Sequence, residues 1–229
     1  GGTESNTWIN EMCSMVAEDL VADKILINGP RGVKYDDYTA GSNGNKRGRL
    51  PWFNENNYYG LGLTTWYSNI YVYYSYAVAY SFGAYLARNY NGAELFGKIV
   101  RNGYTDYRSV ISALSDLGYS IDFYTLLKKW GAAHLLSDNL SAPSGYIYNS
   151  GGSFNSTKNS IQYRLGSINF YYYSPEPYVP STGSSMTIPD HHPASNRFVR
   201  AGSNVTGLKT WTVDMPSGVY LTVVTKDSD

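Results

Sequence analysis

The character of this chain changes once, across Asn139-Leu140-Ser141-Ala142-Pro143, and that change restricts its architecture more than any other feature. Ahead of it, apolar side chains recur at helical spacing between short turns that contain glycine. Beyond it the sequence is poor in helix formers and rich in β-branched and aromatic residues, punctuated by turn formers. Helices followed by strands predict an α+β fold. Residues 1–138 are expected to form a helical lobe, and residues 139–229 a small, mostly antiparallel β domain of sandwich-like type.

The first helix is the clearest element. Ser5, Asn6 or Thr7 can cap it, and Ile9, Met12, Cys13, Val16 and Leu20 follow helical spacing down one side until about Asp23. Residues 28–62 read as loop, with Gly29-Pro30-Arg31-Gly32, Gly41-Ser42-Asn43-Gly44 and Asn54-Glu55-Asn56-Asn57 along it. Helices are expected again over 70–90, ending at Asn91-Gly92, then over 93–102 and 107–117, and from Ser120 onward with Phe123, Leu126, Leu127 and Trp130 on one face. Strands are expected over 160–165, 168–173, 198–201, 208–213 and 219–225.

Composition excludes some functions. Formal charge is zero and 16% of residues are charged, so no broad field favours nucleic acid or an anionic membrane as partner. The most apolar stretch, 70–86, is interrupted by tyrosines and serines, and no membrane span is expected. One cysteine, Cys13, leaves no intrachain disulfide and reads as a small buried hydrophobe. There are 24 tyrosines against seven phenylalanines, beside many Asn, Ser and Gly. A tyrosine keeps its ring apolar and its hydroxyl wet, chemistry suited to extended grooves and common in secreted and envelope proteins.

The metal-binding residues are sparse. The histidines are His134, His191 and His192, and none stands in His-Glu-x-x-His spacing. His134 lies beside an apolar helix end, where a structural role is expected. The adjacent pair His191-His192 makes a poor chelate. Glu11, near the start of the first helix, is favoured there by the macrodipole alone. Glu18 is seven residues on, about 10 Å along the axis, too far to share an ion with it.

A longer pattern gives Glu11 another meaning. The run Thr7-Trp8-Ile9-Asn10-Glu11-Met12-x-Ser14-Met15-Val16-Ala17-Glu18-Asp19 resembles the glutamate-ligand region of the hyicolysin family of secreted bacterial zinc peptidases, which are gluzincins of thermolysin-like type. Arg49-Leu50-Pro51, Tyr74-Ser75-Tyr76-Ala77, Phe82-Gly83-Ala84-Tyr85-Leu86, Asn91-Gly92 and Ile121-Asp122-Phe123 through Trp130-Gly131-Ala132-Ala133 are similar to the segments that follow in that family. The resemblance covers most of residues 6–138 and returns weakly at Gly207-Leu208-Lys209-Thr210 and Pro216-Ser217-Gly218-Val219.

It implies that residues 1–138 are the helical lobe of a zinc-peptidase catalytic domain, with Glu11 as the third protein ligand to zinc. It also implies a tyrosine or histidine that steadies the tetrahedral oxyanion. Matching the helix end at Asn91-Gly92 places Tyr76 there, with Tyr74 and Tyr80 as alternatives. The two histidine ligands and the base glutamate belong to a His-Glu-x-x-His helix that this chain lacks. The expectation is therefore the C-terminal portion of an exported, secreted or envelope-associated peptidase. Zinc is expected in the complete protein and none in this chain alone, which should be inactive. Its partners would be a peptide or protein substrate and the missing N-terminal part. The alternative is a non-catalytic peptide- or glycan-binding module of the cell envelope.

Overall fold

A computed structural model describes residues 5–31, 48–56, 61–188 and 191–226. The fold is α+β: among these residues six α-helices come first and short strands follow. The expected loop motif at Gly41-Ser42-Asn43-Gly44 lies outside the described residues.

Helix α1 spans Thr7–Ile25 and buries Trp8, Ile9, Met12, Met15, Val16, Asp19, Leu20 and Ala22, a stripe at intervals of three and four residues. Asn6 holds the N-cap position, but its side chain makes no capping bond; its backbone N–H donates instead to Thr105 O at 2.7 Å. Leu26 closes the helix in the left-handed region, donating its N–H to Ala22 O.

Helix α2, Arg49–Asn56, falls inside the stretch expected to be loop. Eight residues are too few to display a period, and Pro51 sits in the first turn, where a missing N–H costs little. Burial decides the matter: Leu50 is fully buried and Phe53 nearly so. Helices α3 (Val72–Asn89), α4 (Gly92–Ile99), α5 (Tyr107–Ser115) and α6 (Phe123–Leu135) lie close to their expected positions. The last two begin on aspartates. Asp106 accepts from the Arg108 N–H, and Asp122 from the Thr125 N–H at 2.7 Å. Asp122 moves the start of α6 three residues beyond the expected Ser120. None of the described helices is long and apolar enough to cross a membrane.

Helix α3 is the centre of the molecule, with Ser75 and every residue from Ala77 to Arg88 buried. Helix α1 lies against it where Gly83 removes a side chain: a Cβ there would stand 2.7 Å from both Met12 Cγ and Val16 Cγ2. A buried ionic knot fixes the same contact. Asp19 accepts from the Tyr80 hydroxyl at 2.9 Å and from Arg88 Nη2 at 3.0 Å, while Arg31 Nε approaches its other oxygen at 3.4 Å. Arg88 also donates to Gly166 O and Ala84 O.

The apolar core does not stop at the change in composition. Tyr148, Leu165, Ile168, Phe170 and Tyr173 join the same cluster as the helices. Trp130 Nε1 donates to the Tyr148 hydroxyl, which donates to Ser81 O at 2.6 Å.

The strand expectations need correction. Strands β1 (Ser153–Lys158) and β2 (Ile161–Gly166) form an antiparallel hairpin, in register from Ser153↔Gly166 to Lys158↔Ile161. Its turn is Asn159-Ser160, both at positive φ, as a tight two-residue hairpin turn requires. The second strand was expected; the first, Ser-Phe-Asn-Ser-Thr-Lys, carries no apolar alternation and was not. Residues 168–173 are not a strand but contain a 3-10 turn, Phe170–Tyr172, because the Asn169 side chain takes the Tyr171 N–H. Strands β3 (Ser185–Thr187) and β4 (Thr212–Asp214) pair in parallel, Ser181 and Arg200 make a single bridge, and residues 219–225 form no strand. Among the described residues the strands make two separate two-stranded sheets rather than a sandwich.

Candidate functional site

Glu11 and Tyr76, the two residues singled out in the sequence, come from helices α1 and α3 and meet in space. The Tyr76 hydroxyl is pushed above its ordinary pKa, first by burial, then by the negative charge of Glu11 and by a hydrogen bond to that carboxylate, with the Arg49 charge opposing. Raised in this way the phenol stays protonated near neutral pH and serves as a hydrogen-bond donor. Both side chains are half-buried, so the pair is reachable from solvent.

Two other elements hold the tyrosine. Helix α2 places the Arg49 guanidinium over the Tyr76 ring, 4.8 Å from its centroid. The segment ahead of α3 brings Trp66 edge-on to that ring at 4.9 Å and 81°. That segment is itself tied down where the Tyr67 N–H donates to Ser75 Oγ at 3.1 Å. The Arg49 backbone N–H donates to Pro30 O at 2.8 Å, which anchors the start of α2 beside the Arg31–Asp19 contact. A carboxylate, a phenol, a guanidinium and an indole thus share one seam between α1, α2 and α3. Together they offer one anionic group and three kinds of hydrogen-bond donor.

The alternatives to Tyr76 fare differently. Tyr80 is fully buried and spends its hydroxyl on Asp19, so it presents no donor to a ligand. Tyr74 is half-buried, with its ring 5.5 Å from Trp52 and 6.2 Å from Tyr71. Glu18 is exposed; the carboxylate that organises the helix is its neighbour Asp19. Asp19 and Arg49 both sit in the runs that resemble the peptidase family, yet nothing local distinguishes a buried aspartate from an exposed glutamate beside it. Trp66 carried no signal at all.

The remaining candidates have structural surroundings. His134 is fully buried, stacked on Phe170 at 4.2 Å and Phe198 at 5.0 Å, and burial pushes its pKa down to about 3. His192 Nδ1 lies 3.1 Å from the Tyr67 hydroxyl. His191 has a lowered pKa, from burial first and then the Arg197 charge. Cys13 is half-buried against the core, and burial pushes its thiol up to about 12, far from a reactive thiolate. Among the described residues no three His, Cys, Asp or Glu side chains are grouped so as to hold a metal ion. Glu11 belongs to no such group.

A hollow lies on α2. It has a volume of about 310 Å³ and is lined by Pro51, Trp52, Glu55, Ser174 and Pro175. Trp52 is one helical turn beyond Arg49 on α2, and its ring packs on Tyr73 at 4.7 Å.

Neither a family model nor a curated protein sequence matches this chain.

Proposed function

We propose that this chain supplies the third zinc ligand, Glu11, and the oxyanion donor, Tyr76, of an exported zinc metallopeptidase that hydrolyses peptide bonds. The observation that supports the reading is the meeting of these two side chains. They are 65 positions apart, were assigned complementary roles from the sequence resemblance, and lie close enough for the Glu11 charge to raise the pKa of the Tyr76 hydroxyl, both side chains being half-buried. A random pair on two long helices has little reason to do so.

The residues present fit part of a zinc site. A half-buried carboxylate that makes no ion pair with another described residue is available as a ligand, and a protonated phenol lies near it. Zinc in such a peptidase would polarise the scissile carbonyl and activate water. The chain's own contribution is positional. α1 presents Glu11 from its first turns, α3 presents the Tyr76 hydroxyl, and Arg49 with Trp66 fixes the ring so that the donor does not have to be ordered during reaction. The two histidine ligands and the general base would come from a His-Glu-x-x-His helix elsewhere in the protein.

The test uses the protein with and without that helix. The isolated chain should neither hold zinc one-to-one nor cleave peptides. In the complete protein Glu11→Gln should lose zinc. Tyr76→Phe should keep it while turnover falls on the order of 100-fold to 1,000-fold, the usual worth of one oxyanion donor. Tight stoichiometric zinc in the isolated chain, or full turnover in Tyr76→Phe, would refute these roles. A gene that encodes no such helix would leave the second reading, a non-catalytic peptide- or glycan-binding module.

A further inference from the structure

The hollow on α2 has a chemistry of its own. Its walls are two prolines and the half-buried Trp52 ring; its polar groups are the exposed Glu55 and Ser174. Among the described residues no lysine or arginine lines it, and none makes an ion pair with the Glu55 carboxylate. Glu55 also stands in the last turn of α2, where no basic residue offsets the negative end of the helix dipole. Negative potential therefore converges on a pocket walled by an indole and proline rings.

The walls are fixed in advance. Asn54, fully buried behind the hollow, donates from Nδ2 to Phe170 O at 2.8 Å and to Pro175 O at 2.9 Å, which holds the Ser174-Pro175 wall to α2. Tyr73 and Tyr74 brace the Trp52 ring from α3. Little ordering remains to be done when a ligand enters. The volume, about 310 Å³, lies at the low end of the range for small-ligand sites, roughly 300–1,000 Å³, and suits one long side chain rather than a sugar chain.

The geometry points to this hollow as a recognition subsite for a basic side chain, lysine or arginine, of a bound peptide. The methylene stem packs on Trp52, Pro51 and Pro175, and the cationic head meets the Glu55 carboxylate beside the indole. Arg49 precedes Trp52 by three residues, about 4.5 Å along α2, so the subsite lies about one helical turn from the Tyr76 seam. Its role as a substrate subsite rests on the peptidase reading, whereas the binding itself does not.

The experiment is a nuclear magnetic resonance titration of the isolated chain. The Trp52 indole N–H signal is identified by its loss in Trp52→Phe. N-acetyl-lysine amide is the probe and N-acetyl-norleucine amide, of the same length and uncharged, the control. The lysine probe should shift the Trp52 signal saturably with millimolar affinity, and the norleucine probe should bind at least threefold more weakly. Glu55→Gln should weaken lysine binding about threefold to fivefold, as loss of a solvent-facing ion pair does. Equal binding of the two probes, unchanged affinity in Glu55→Gln, or no shift with lysine would overturn the inference. Lysine binding in a complete protein that cleaves nothing would sink the peptidase reading and leave the subsite standing. Peptide cleavage without lysine binding would do the reverse.

Discussion

Asp19→Ala is the sharpest test of what holds α1, and with it Glu11, against α3. The carboxylate is 3% exposed, the Arg88 guanidinium fully buried and the Arg31 guanidinium 4% exposed. Arg88 keeps its bonds to Gly166 O and Ala84 O after the substitution, so it has no means of leaving the interior. It would then lose its carboxylate partner while staying in the interior, and the Tyr80 hydroxyl would lose its acceptor. Removing one partner of a buried pair in this way costs about 3–5 kcal/mol. For a protein with a total stability of roughly 5–15 kcal/mol that is a large part of the whole. Equilibrium urea unfolding at neutral pH of the native chain, Asp19→Ala, Arg88→Met and the double variant measures it. Because Arg88→Met removes a charge that Asp19→Ala would strand, the double variant should cost less than the sum by about 0.5–3 kcal/mol. The loss should persist in high salt, which screens surface pairs but not this one. A cost for Asp19→Ala below about 1 kcal/mol, the net worth of an ordinary hydrogen bond, would refute the argument, as would strict additivity.

Two further predictions concern the core. His134 has a folded-state pKa of about 3 against an ordinary value of 6.5, so between these values the unfolded chain binds the extra proton and stability must fall as pH falls. His134→Phe, which keeps the stack on Phe170 and Phe198, should flatten the loss of urea stability between pH 6.5 and 5 by up to about 1.4 kcal/mol per pH unit, and an unchanged slope would count against it. Gly83→Ala puts a methyl 2.7 Å from Met12 and Val16, and should cost about 1–3 kcal/mol as overpacking does. Its melting temperature should drop by about 2–4 °C for each kcal/mol, and an unaltered melt would show that α1 has room to move.

Much of the architecture was legible because it depends on local signals. The stripe from Ile9 to Leu20, the glycine-closed segments that became α3 to α5 and the apolar face of α6 repeat over enough residues to reveal their period. The helix starts were less legible: Asp106 and Asp122 set them by accepting from backbone N–H groups two and three residues on, and for the last helix this replaces the expected start at Ser120. Helix α2 was illegible because eight residues carry too little pattern, and its formation depends on burying Leu50 and Phe53 against elements distant in sequence. Strand β1 was illegible for a similar reason: its partner and its tight turn define it, not its own polar residues. The expected strand over 168–173 lost to a side chain, Asn169, that offers the backbone another bond.

The sequence by itself determined where the five longer-patterned helices lie, that helices precede strands, and which glutamate and which group of tyrosines resemble peptidase site residues. Only the tertiary structure decided that Glu11 and Tyr76 meet, that Arg49 and Trp66 frame them, and that Tyr80 is spent on Asp19. The physical reason is range. Helical spacing and caps act over three or four residues, whereas the crossing of α1 and α3 is set by a missing side chain at Gly83 and a carboxylate shared by Tyr80, Arg88 and Arg31. Those contacts have no signature until the chain is folded.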